Sequence, residues 1–348
     1  MKYLLTALVF CWSIIACDQP AENKATVSDT VSVHKNTLMK IEWYDKTKPS
    51  LVDTGATAEI IGRGFDWSEG PLWIASLKKL IFSDVPQNKI YQWQEGDTMS
   101  TVYLTPSGYT DAAPRKGETG SNGLALDRKG KLLLCQSGNR QVAQMDAALD
   151  SPAAMYTALA KGYNSRRFNS PNDLITDSKN NIYFTDPIYG LPEGELDPER
   201  DLKFEGVYKI SNGKVALLID SIPRPNGLAL SSDEKTLYIA SSDDKKPAWY
   251  AYKLDDNGKI LSGGVLLDAI PLKSKAEVKQ GPDGFKLDDA GNIFSAGPDG
   301  INIISSQGKL LGLIKIYGRS CSNCVFNESK NTLFVTADDV VLKITLRK

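Results

Sequence analysis

Short apolar runs separated by polar corners recur along most of the chain, and they recur with a long period. Six segments share one order: a polar corner, an apolar strand, a polar turn and a second apolar strand. The corners read Ser68-Glu69-Gly70-Pro71, Ser121-Asn122-Gly123-Leu124, Pro171-Asn172-Asp173-Leu174, Pro225-Asn226-Gly227-Leu228, Pro282-Asp283-Gly284-Phe285 and Ser322-Asn323-Cys324-Val325. Turns such as Asp127-Arg128-Lys129-Gly130, Asp177-Ser178-Lys179-Asn180 and Asp288-Asp289-Ala290-Gly291 follow, and second strands are predicted over 131–135, 181–185, 236–240, 292–296 and 332–336. β-branched and aromatic runs around turn formers are the pattern of hairpins. No long stretch carries a sustained 3.6-residue period, so no long helix is predicted.

The corner residues lie 53, 50, 54, 57 and 40 positions apart. A blade of four antiparallel strands takes roughly 40–50 residues, so each interval fits one blade plus a loop. The predicted fold is therefore all-β: a six-bladed β-propeller of four-stranded antiparallel blades over residues 51–348. Val340-Val341-Leu342-Lys343-Ile344 is expected to pair with an early strand near Ala58-Glu59-Ile60-Ile61, which closes the ring and removes open sheet edges. A solenoid would need capping units and shorter repeats.

Equivalent positions of a propeller meet around one axis. The corner residues Glu69, Asn122, Asn172, Asn226, Asp283 and Asn323 would thus bring oxygen-bearing side chains together with no cation between them. Such groups repel or stay unpaired when buried, and a divalent cation resolves both problems. Two carboxylates with several amides suit Ca²⁺, which takes about six to eight oxygen ligands, better than Zn²⁺, Mg²⁺ or Mn²⁺. Asn-Gly and Asp-Gly also recur simply as turn formers, but Glu69, a poor turn former, occupies the same phase.

The N-terminus looks like a processing segment. Residues 1–16 carry one lysine and a short apolar run, as a signal peptide does. Ile14-Ile15-Ala16-Cys17 resembles a bacterial lipobox, which would leave Cys17 as a lipid-bearing first residue. Residues 17–50 are polar and expected to be a flexible tether, with docking expected near Ile41-Glu42-Trp43-Tyr44. The expected location is the bacterial cell envelope, lipid-anchored and facing the periplasm or the surface.

Charge and scarce residue types narrow the chemistry. The net charge is −1 with no basic cluster, so nucleic acid has no electrostatic footprint here. The one histidine is His34, inside the expected tether, which leaves no Ser-His-Asp triad, Cys-His dyad or His-ligated zinc site. Cys321 and Cys324 have C-x-x-C spacing without a second pair, and they are expected to be buried or loosely paired thiols.

Taken in order, Ser68-Glu69-Gly70-Pro71, Asn122-Gly123-Leu124, Asn169-Ser170-Pro171-Asn172-Asp173, Phe184-Thr185-Asp186-Pro187-Ile188-Tyr189-Gly190, Arg224-Pro225-Asn226-Gly227-Leu228-Ala229, Pro282-Asp283-Gly284 and Ser322-Asn323-Cys324-Val325-Phe326 make the chain resemble the SMP-30, gluconolactonase and luciferin-regenerating family over about residues 55–347. The resemblance implies a six-bladed propeller, a divalent metal held by Glu69, Asn172, Asn226 and Asp283, and lactone hydrolysis with Asp283 as the acid/base. It implies that Asn122 faces substrate beside the metal, and it leaves the ion open among calcium, zinc and others. Asp186 and Tyr189 are candidates for binding sugar hydroxyls at the rim. Where many relatives carry Cys-Glu-His, this chain reads Cys135-Gln136-Ser137, which questions sugar-lactone specificity more than the metal site. The leading expectation is a metal-dependent lactonase acting on a small lactone or ester. The alternatives are a non-catalytic, metal-stabilised propeller that binds a sugar or protein, and a hydrolase of phosphotriesters or other esters.

Overall fold

The computed structural model describes residues 38–45, 47, 51–53 and 55–347. Residues 1–16, Cys17, His34 and most of the expected tether lie outside them. The described chain forms six antiparallel blades of four strands each. Blade 1 runs Ser68–Ile74, Lys79–Asp84, Lys89–Gln94 and Thr101–Leu104, and blade 2 runs Ser121–Leu126, Leu132–Gln136, Gln141–Met145 and Tyr156–Ala160. Blade 3 comprises Leu174–Thr176, Ile182–Asp186, Gly206–Ser211 and Lys214–Ile219; blade 4 comprises Pro225–Leu230, Thr236–Ser241, Ala248–Leu254 and Ile260–Asp268. Blade 5 uses Phe285–Leu287, Ile293–Gly297, Gly300–Ile304 and Leu310–Ile316. Blade 6 takes Cys321–Phe326, Thr332–Ala337 and Val340–Thr345, and its outer strand is Thr57–Arg63 from the other end of the chain.

That outer strand is the ring closure expected from the sequence: Ala58 pairs with Ile344 and Ile60 with Leu342. The docking point at Ile41–Tyr44 also takes a definite form. Met39–Trp43 adds a fifth strand to blade 5, Met39 opposite Ile316 and Trp43 opposite Gly312. It covers an edge that would otherwise expose unpaired backbone groups.

The second strands begin one residue later than predicted in blades 2, 3 and 5. In each, the turn aspartate claims the preceding backbone N–H: Asp127 Oδ1 accepts from Lys131, Asp177 Oδ1 from Asn181 and Asp288 Oδ1 from Asn292, each at 2.8 Å. This side-chain turn competes with the ladder for that residue. A short α-helix, Ile270–Lys275, links blades 4 and 5 with Pro271 in its first turn, and a small hairpin, Gly162–Tyr163 with Arg166–Arg167, precedes blade 3.

Apolar contact between blades holds the ring. Every residue of Leu132–Gln136 and Ile182–Asp186 is buried, because these strands pack on a blade at each face, which explains their unbroken apolar runs. Ile81 and Leu104 meet Leu124 and Leu134 between blades 1 and 2, and Tyr183 and Val207 meet Leu228 and Ile239 between blades 3 and 4. Phe82 and Trp93 meet Phe334 and Val341 at the seam between blades 1 and 6. Each such side chain contributes about 1.5–3 kcal/mol on burial. The first strands of successive blades touch around the ring, the sixth closing on the first, so the corners meet at one end of the axis.

Candidate functional site

The six corners form a continuous ring because each is fitted to the next. A Cβ on Gly123 would lie 2.7 Å from Asn172 O, and one on Gly227 would lie 2.6 Å from Asp283 O. Glycine is therefore required by close approach of the neighbouring corner, and neither residue has a positive φ. The Asn-Gly pairs are strand-borne contacts rather than turns. Hydroxyls on the second strands fasten the same joints: Ser83 Oγ donates to Asn122 O at 2.8 Å and Thr185 Oγ1 to Asn226 O at 2.8 Å. At the seam, Ser322 Oγ donates to Ser68 O at 2.6 Å.

Over the ring lies a cavity of about 340 Å³ lined by Glu69, Asn122, Asn172, Asn226 and Asp283 together with Tyr189. The expected ligand set is thus brought to one place. Asn122, Asn172 and Asn226 are buried, and the Oδ1 of each has no hydrogen-bond donor. Asn226 is oriented by Ser242, whose Oγ accepts from Nδ2 at 3.0 Å and donates to Pro282 O at 2.6 Å. Three orphaned amide oxygens beside two carboxylates make an acceptor-rich pocket of the kind a hard cation satisfies. Among the described residues no cluster of three His, Cys, Asp or Glu side chains could hold a metal, so the amides are essential to this donor set.

The electrostatics agree. Burial pushes Glu69 up to about 8, opposed by a hydrogen bond from Gly70 N–H. Asp283 opens partly to the cavity, yet protein encloses it closely. Burial and then the charge of Glu69 raise its proton affinity well above the ordinary carboxylate range. Two carboxylates in one low-dielectric pocket resist joint ionisation unless a cation joins them.

Asp186 is placed differently from the expectation. It is buried in the wall, not among the cavity-lining residues, and its Oδ2 accepts from Asn169 N at 2.8 Å. Asp84 does the same for Trp67 N at 3.2 Å in blade 1, so both carboxylates fasten the backbone ahead of a corner. Tyr189 does line the cavity, and burial raises its phenol. Asn323 is buried and not among the lining residues, donating Nδ2 to Glu69 Oε2 at 3.2 Å. Arg224 pairs with Glu205 at 2.8 Å and Glu195 at 3.3 Å, a structural charge. Cys321 and Cys324 are buried free thiols.

Sequence reasoning missed Trp67, Glu118, Ser242, Asp244 and Gln280 in the lining. Trp67 adjoins a corner and was within reach of the repeat argument. Glu118 sits in an irregular loop whose path no periodicity encodes.

The family model described as the SMP-30/Gluconolactonase/LRE-like region matches residues 67–339. A gluconolactonase of Zymomonas mobilis is 34% identical over 333 residues, covering 92% of this chain and 91% of its own. The solved structure of a gluconolactonase from Xanthomonas campestris superposes with a TM-score of 0.75 at 28% identity, covering 88% of this chain and 95% of its own. A calcium-binding protein, regucalcin, from Agrobacterium tumefaciens superposes with a TM-score of 0.62 at 16% identity, covering 83% and 96%, a likeness of fold alone.

Proposed function

The chain belongs to the SMP-30/gluconolactonase/LRE-like family, and on that premise we propose that it is a divalent-cation-dependent lactone hydrolase, with calcium the preferred ion. The observation that carries the cation is the convergence of three donorless amide oxygens and two mutually opposed carboxylates on one cavity. The lactone rests on relatives named gluconolactonase.

Glu69, Asn172, Asn226 and Asp283 would hold the ion. When bound, it supplies a Lewis acid for the lactone carbonyl and the negative charge that develops there. Asn122, whose side-chain oxygen has no hydrogen-bond donor, and Tyr189 would orient the ring. Asp283 takes a proton from water as that water's oxygen bonds to the carbonyl carbon. It returns the proton to the ring oxygen as the ring C–O bond breaks, giving the open hydroxy acid. Bound to a cation, Asp283 is held in its ionised form and is a weak base, which suffices because a lactone is already a reactive ester. No histidine is needed.

Acid release from glucono-1,5-lactone, measured with and without chelator, tests this. Activity should vanish with the chelator, return with Ca²⁺, and be lost in Asp283→Asn while the fold is retained. Full activity in Asp283→Asn refutes the role given to Asp283, and absence of turnover in the cation-loaded wild type favours a binding propeller. We further propose that a lipid on Cys17 holds the enzyme at the cell envelope. Cys17→Ser should then move the protein from membrane to soluble fractions.

A further inference from the structure

The loop between blades 1 and 2 brings into the cavity a carboxylate that the ring of corners does not supply. Glu118 lines the cavity with Trp67 and Asn122. Its Oε2 is shut off from solvent and has no hydrogen-bond partner. The residues that follow it are pinned to blade 1: Thr119 Oγ1 donates to Pro86 O at 3.1 Å, and Gly120 N donates to Val85 O at 2.7 Å. Tyr109 N donates back to Thr119 O at 2.6 Å. The carboxylate is thus carried by a braced segment.

A buried acceptor without a donor is costly, and native proteins rarely leave one unless something else completes it. The side chain as a whole is only half-buried, and the space it lines is the cavity. Asn122 Oδ1 faces the same shortage, so two residues of the lining carry acceptors with nothing from the protein to satisfy them, and Trp67 belongs to the same lining. A cation held at the corners would draw on amide oxygens and the two ring carboxylates, whereas Glu118 comes from a loop outside that ring, near enough for its charge to raise Asp283. What suits it is a neutral ligand with hydroxyl groups: each O–H satisfies an acceptor, and the indole of Trp67 offers an apolar flank. Burial pushes the Glu118 carboxyl up to about 7, which such a hydrogen bond to the ionised form would lower.

We propose that Glu118 is a specificity-determining residue that accepts a hydrogen bond from a hydroxyl of the bound lactone, so that the site selects polyhydroxylated lactones over unsubstituted ones. This rests on the lactone reading of the cavity. A site built to bond a substrate hydroxyl discriminates strongly against the analogue lacking it, because its own polar group is then left unpaired.

The test compares glucono-1,5-lactone with δ-valerolactone, using the full cation-loaded chain, Glu118→Ala and the near-isosteric Glu118→Gln. Wild type should prefer the hydroxylated lactone. In Glu118→Ala the ratio of the two kcat/KM values should fall about tenfold or more, with the loss mainly in KM for gluconolactone. Glu118→Gln, which keeps an acceptor oxygen, should fall less. An unchanged ratio overturns the proposal, as does a wild type that hydrolyses only δ-valerolactone. If wild type hydrolyses neither, the lactone reading fails, and calorimetric titration with D-glucitol decides the hydroxyl site separately. Binding weakened about tenfold in Glu118→Ala supports it, whereas equal affinity or no binding to wild type overturns it.

Discussion

Asn323 lies 254 residues from Glu69 in sequence, yet its Nδ2 donates to Glu69 Oε2 at 3.2 Å across the seam between blades 6 and 1. The ring of corners closes on that bond. It is one of two donors that favour the ionised form of Glu69, the other being Gly70 N–H.

Asn323→Ala should therefore raise the proton affinity of Glu69 further. Cation binding is expected to weaken by about tenfold or more, the scale of a hydrogen bond to a charged group. The acid limb of the activity profile should move to higher pH. Calorimetric titration with Ca²⁺ and a kcat/KM profile check both effects, and an unmoved limb would sever Asn323 from the site.

Stability of the chelated protein should fall as pH rises. Glu69 has an ordinary value of 4.5 and is raised to about 8 in the fold. Between those values the folded state holds a proton that the unfolded state has released. The contribution is full below 4.5 and is lost as pH climbs through about 8. Asp283 acts in the same direction. Thermal melts across this window should show the decline, and Ca²⁺ should reverse it at the alkaline end. Glu69→Gln should flatten the curve.

Gly123→Ala tests the fit between corners. The added carbon would stand 2.7 Å from Asn172 O and from Asp173 Oδ1, so blades 2 and 3 must shift apart. A loss of about 1–3 kcal/mol is expected, together with reduced turnover because Asn172 moves with its corner. Denaturant unfolding and activity measured on one preparation would separate the two.

Asp186→Ala should lower stability by about 1–3 kcal/mol, the cost of leaving a buried donor unmet, here Asn169 N–H. Its Km for lactone should change little beside the effect of Asp283→Asn. A large selective rise in KM would return Asp186 to the substrate.

Much of the architecture was legible in the chain. The recurrence of Glu69, Asn122, Asn172, Asn226, Asp283 and Asn323 at blade-length intervals required that they converge, since equivalent strands of a closed ring share an axis. The apolar strand at 340–344 required a partner, and the run at 58–61 was the early strand expected to supply it, within what the fold shows as Thr57–Arg63. Direction was harder to read. Asp186 sits in a motif beside Tyr189, but strand alternation and local backbone demand turned its carboxylate into the wall. Glu118 follows Lys116-Gly117 in a stretch without period, and only the folded loop carries it to the cavity.

The chain by itself determined the repeat, and with it the blade number, the closure and the identity of the acceptors at the axis, because periodic patterning dictates which positions are equivalent. Tertiary structure alone decided which oxygens are left without donors, which carboxylates share a pocket and which loop completes its wall. Those depend on distances between residues that no local pattern relates: desolvation and mutual repulsion act through space, and they arise only once the blades have closed.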